Sequence, residues 1–122
     1  MKILIDQVGD SKVAIVESAD ILIGNAQDAL DLMATVKYTD DCYKILIPKS
    51  NITESFFELS TRLAGEILQK YTNYQVRLAI VGDFDEYDSK SLHAFIIECN
   101  RGKQVFFLPD VQTALDKLHS VA

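Results

Sequence analysis

A chain of 122 residues, 48% hydrophobic and 25% charged, is long enough for one domain with a substantial core and too apolar to stay disordered. Its net charge of −6, with twelve Lys and Arg scattered along the chain, argues against nucleic acid and anionic membranes as partners. No apolar run approaches the ~20 residues of a membrane span.

In chain order, residues 2–8 and 12–17 are β-prone runs separated by Gly9-Asp10-Ser11, and a leading glycine suits a tight hairpin that needs positive φ. Ile21-Leu22-Ile23 either extends the sheet or leads into the first helix. Asn25 is the expected cap of that helix, with Asp28 in its first turn and Ala26, Ala29, Leu30, Met33 and Val36 on the buried stripe. Residues 43–47 read as a strand buried on both faces.

After Pro48, the apolar positions from Phe56 to Tyr71 recur at helical spacing. Ser55 with Glu58 forms a candidate capping box, while Thr53 as cap would staple Ile52 against Phe57. Glu58–Arg62 and Glu66–Lys70 are outward i,i+4 pairs. Gly65 inside this helix costs about 1 kcal/mol against alanine, which points to a close approach of the helix to the sheet or to a neighbour. Residues 75–81 form the next strand and 82–88 a loop. Asp88 or Ser89 caps a third helix with Leu92, Phe95, Ile96 and Cys99 inward, and Gly102 ends it as a left-handed residue. Residues 104–108 form the last strand. Pro109 stops it, and Asp110 caps a final helix whose inner face is Val111, Ala114, Leu115 and Leu118.

The order β-β-α-β-α-β-α-β-α predicts a single α/β domain over residues 1–122. Its sheet is mixed and mainly parallel, of four to five strands, with an N-terminal hairpin and about four helices. Cys42 and Cys99 belong to no CxxC pair and read as buried thiols, and no stretch reads as a signal peptide, so a reducing cytoplasm is expected.

The run RLAGEILQKYTNYQVRLAIVGDF, followed by SKSLHAFIIECNRG and QVFFL, resembles a bacterial family known only as domain-of-unknown-function family 4180. The element order is similar to the STAS domain (sulfate transporter and anti-sigma-factor antagonist). That resemblance implies helices packed largely on one side of the sheet and a role in binding proteins or small ligands. It also implies a phosphorylatable hydroxyl after the central strand, which here would be Thr53 or Ser55. The region has three hydroxyls and lacks the family's Asp-Ser or Asp-Thr step.

In a parallel sheet the loops that follow the strands share one rim, the usual ligand side. Here that rim collects Ser50, Asn51, Thr53 and Ser55 from one loop, and Gly82, Asp83, Phe84, Asp85 and Tyr87 from the next. These are the expected binding residues, with Phe84 and Tyr87 as aromatic anchors for a partner. The loop acids Asp83, Asp85, Glu86 and Asp88 are oxygen ligands of the type Mg²⁺ or Ca²⁺ prefers, but Tyr87 stands where the calcium-loop pattern needs a ligand. His93 near Ser89 and Ser91, and His119 at the tail, complete no triad, and no nucleotide-binding glycine loop is present.

No catalytic residue, metal site or cofactor is therefore assigned. The leading expectation is a non-catalytic regulatory or adaptor module binding a protein or a small molecule. The alternative is an enzyme using the acidic loop with a small ligand or a divalent metal. The Phe95-Ile96-Ile97 run, apolar on more than one helix face, is a possible homodimer surface.

Overall fold

A computed structural model of the chain describes residues 1–121; Ala122 lies outside the described residues. The elements are β1 (Lys2–Val8), β2 (Ser11–Glu17), α1 (Ala26–Asp40), β3 (Lys44–Pro48), α2 (Leu63–Asn73), β4 (Arg77–Val81), α3 (Lys90–Arg101), β5 (Val105–Leu108) and α4 (Val111–Ser120). They build one five-stranded sheet in the order β1-β2-β3-β4-β5. β1 and β2 are antiparallel and every later pairing is parallel. Gly9 turns the hairpin with φ +59°, at the first turn position where a side chain would be strained.

Successive strand residues point to opposite faces, and both faces are covered. Ile45, Ile47, Leu78, Ile80, Val105 and Phe107 face α1, α2 and α3; Val13, Leu46, Ala79 and Phe106 face α4. This double burial is why the parallel strands read as unbroken apolar runs. Each fully buried Leu, Ile or Phe is worth ~1.5–3 kcal/mol of transfer free energy.

Local signals place the helices. The Asn25 side chain accepts a hydrogen bond from the Asp28 N–H at 2.9 Å, and the Asp28 carboxylate accepts one from Gly24 N–H, also at 2.9 Å. Ser89 accepts from Leu92 N–H at 3.1 Å and Asp110 from Thr113 N–H at 2.7 Å. That last bond holds the Asp110 carboxyl below its ordinary pKa. At the outer edge of the sheet, the Asn100 side chain imitates a strand. Its amide donates to Phe107 O at 3.0 Å and its oxygen accepts from Phe107 N–H at 2.8 Å, closing the free side of β5.

Several expectations are corrected. The segment before α2 is three short 3₁₀ turns rather than helix, and α2 begins only after Arg62, which takes φ +67°. Adjacent Phe56 and Phe57 are both buried, and they lie on the second of these turns. Thr61 secures the turns by donating to Ser55 O at 2.6 Å and Glu58 O at 2.8 Å. Neither the Ser55 box nor the Thr53 cap forms at an α-helix start, and Glu58–Arg62 is no helical pair. Gly65 has no close neighbour: an added Cβ would meet nothing within 4 Å. Gly102 is extended (φ −85°, ψ −158°) rather than left-handed, and ends α3 through its N–H to Cys99 O at 3.0 Å. The run at residues 21–23 leads into α1 and adds no strand to the sheet; Ile23 forms an isolated parallel bridge with Ile52, outside the named strands. On α1 the buried stripe runs through Leu32 rather than Leu30, and Val111 on α4 is exposed.

Candidate functional site

β3 and β4 run side by side to the pair Pro48–Val81, so their trailing loops start as neighbours. The contact is tight: a Cβ on Gly82 would lie 2.7 Å from Lys49 Cβ. From this point the two loops interlock. The Lys49 ammonium pairs with Glu86 and sits 4.8 Å above the Tyr87 ring. Burial lowers the Lys49 pKa, but Glu86 and Tyr87 outweigh it and leave the group above its ordinary value.

Tyr87 stacks on Phe57 at 5.3 Å and donates its hydroxyl proton to Glu54 at 3.0 Å. Burial, with that bond, raises the Tyr87 pKa. Phe84 packs between Phe57 and Phe107, with ring centroids 6.0 and 5.4 Å away. His93 Nε2 lies 2.5 Å from Tyr87 O, so that nitrogen carries the proton and donates. Asp83 accepts from Asp85 N–H at 3.0 Å, tightening the loop tip.

Two clefts flank this junction. The larger, ≈ 470 Å³, has Ile96, Ile97 and Phe107 among its lining residues with Asp83, Asp85 and His93; Gly82, Phe84 and Pro109 complete it. The smaller, ≈ 370 Å³, is lined by Pro48, Lys49, Ser50, Glu54, Val81 and Gly82. Gly82, Asp83, Phe84, Asp85 and Ser50 thus lie on clefts, and Tyr87 on the junction. Thr53 is half-buried, and Ser55 is exposed on a 3₁₀ turn, away from any α-helix start. Asn51 is turned inward. It is 1% exposed, and its amide donates to Ser18 O and Asp20 O, each at 2.8 Å. Among the described residues, no three His, Cys, Asp or Glu side chains gather into a group able to hold a metal ion.

A third cleft of ≈ 610 Å³ opens at the opposite rim, where Lys12, Lys44, Arg77 and His119 converge. Lys44 and Arg77 are cross-strand partners. Burial and the neighbouring guanidinium pull the Lys44 pKa down. Lys44 Nζ donates to Ser11 Oγ at 2.9 Å and Val121 O at 2.7 Å, and His119 bridges Ser11 and Asp6, each at 2.7 Å. Sequence reasoning missed this cluster because Ser11 and His119 are 108 residues apart. The available signal was the matched position of Lys44 and Arg77, each opening a parallel strand. Cys42 and Cys99 are free thiols; burial raises both, Cys99 to about 11 with help from Glu98.

A family model described as Domain of unknown function (DUF4180) matches residues 8–118. No curated protein and no solved structure matches the chain.

Proposed function

We propose that this chain, which belongs to the DUF4180 family by a match spanning residues 8–118, is a non-catalytic regulatory or adaptor module. On this reading it has STAS-like architecture, works in the cytoplasm, and binds its partner at the rim where the loops after β3 and β4 meet. The supporting observation is the cleft of ≈ 470 Å³ lined by Asp83, Asp85, Ile96, Ile97 and Phe107, with Ile97 left 53% exposed. Apolar lining beside two exposed carboxylates suits a group with an apolar stem and a cationic end. A lysine or arginine side chain of a partner protein has that chemistry.

The histidine nearest the cleft is committed to a structural bond with Tyr87 O, and Ser89 Oγ is the cap of α3. Neither pairs with the other as nucleophile and base, which favours binding over catalysis. Two free thiols suit a reducing compartment.

Capture from a native lysate tests the reading. Wild-type protein should retain a partner that is lost from Asp83→Asn/Asp85→Asn and from Ile97→Glu. Micromolar Mg²⁺ or Mn²⁺ binding by calorimetry, abolished by the same carboxylate changes, would instead support an enzyme using the acidic loop.

A further inference from the structure

The two edges of the sheet are treated differently. Asn100 occupies the hydrogen-bonding groups of Phe107 on β5. β1, at the other edge, has no strand beyond it among the described residues. Seven residues long and flanked only by β2, it leaves Leu4 40% and Ile5 38% exposed on opposite faces. An open edge with apolar side chains on both faces is a template for another strand.

We infer that β1 is the seam of a homodimer, in which a second copy of β1 pairs antiparallel about a two-fold axis through Leu4. The register follows from the hairpin and the charges. In a two-residue hairpin the closing pair, here Val8–Ser11, is hydrogen-bonded, and such pairs alternate along the ladder. The N–H and C=O groups of Ile3, Ile5 and Gln7 therefore point outward. Pairing about Leu4 sets Ile3 of one protomer against Ile5 of its partner, both with outward groups, so the bonds close.

The same register sets Lys2 of each protomer opposite Asp6 of the other. A shift of two residues either way preserves the hydrogen bonds but places Lys2 against Leu4 or Val8. Charge complementarity thus selects one register, and it is a self-complementary one. Asp6 uses one oxygen on His119 and keeps its side chain 42% exposed, open to a second cation. The two Leu4 side chains meet on the α4 face, and the Ile3–Ile5 pairs stack on the other. This seam lies apart from the clefts after β3 and β4.

Light scattering and sedimentation on the purified chain at ~100 μM, a concentration suited to a narrow interface, test the inference. Wild-type protein should show twice its 13.7 kDa mass. Lys2→Asp and Asp6→Lys, each confronting like charges twice, should each weaken the dimer about tenfold. An equimolar mixture of the two variants should recover it, because the heterodimer restores both charge pairs. Misfolding of either variant could not be repaired by mixing, so recovery identifies the register. A monomeric wild type overturns the inference. So does a dimer indifferent to these changes, or one lost only with Ile97→Lys, which would place the interface on α3.

Discussion

The two amide hydrogens of Asn51 hold the carbonyls of Ser18 and Asp20, and its own backbone carbonyl accepts from Leu22 N–H at 2.7 Å and Ile23 N–H at 3.1 Å. One buried residue thereby fixes the whole approach to α1. Asn51→Ala should cost ~2 kcal/mol by urea unfolding, since two part-buried hydrogen bonds from a buried side chain are lost, and Asn51→Asp more, because a carboxylate would face the two carbonyls. Asn25, Ser89 and Asp110 were legible as caps because each bonds three residues ahead. The partners of Asn51 lie 33 and 31 residues back, beyond any local pattern. Cys99 supplies a pH dependence. Its pKa rises from 9.0 to about 11 on folding, so the folded state holds a proton that the unfolded chain releases. Its contribution is complete below pH 9 and is lost as the pH climbs toward 11. Thermal unfolding across that window should show falling stability, and Cys99→Ala should flatten the decline.

Among the elements, α2 departs most from its sequence signature. The 3.6-residue pattern between Phe56 and Tyr71 is present, but Phe56 and Phe57 reach the core from a 3₁₀ turn. Strands were easier to read, since burial on two faces leaves an uninterrupted apolar run. Gly65 follows from the true position of α2: it is exposed, helical and sterically free. Gly65→Ala should therefore stabilise the protein by ~0.5–1 kcal/mol in chemical denaturation. Asn100→Ala should do the reverse, by ~1–2 kcal/mol. It would also uncover the backbone of β5, so faster aggregation on mild heating, followed by light scattering, is the second expected outcome.

At the scale of the molecule, one choice of face explains most of the architecture. α1, α2 and α3 share one side of the sheet, and α4 alone covers the other. The convergence of the loops after β3 and β4 was legible because parallel strands end together. The chemistry within them was less so. Phe84 and Tyr87 look like binding groups in sequence, yet with Lys49 they chiefly lock the two loops to each other. α4 bears on how the protein comes into being. Val13, Leu46, Ala79 and Phe106 stay wetted until Ala114 and Leu118 descend on them, and those two belong to a helix that follows all five strands. While α4 is still threaded through the ribosomal tunnel, the emerged strands hold an oily flank toward water. A nascent chain stalled there is a ready client for chaperones and a ready meal for proteases.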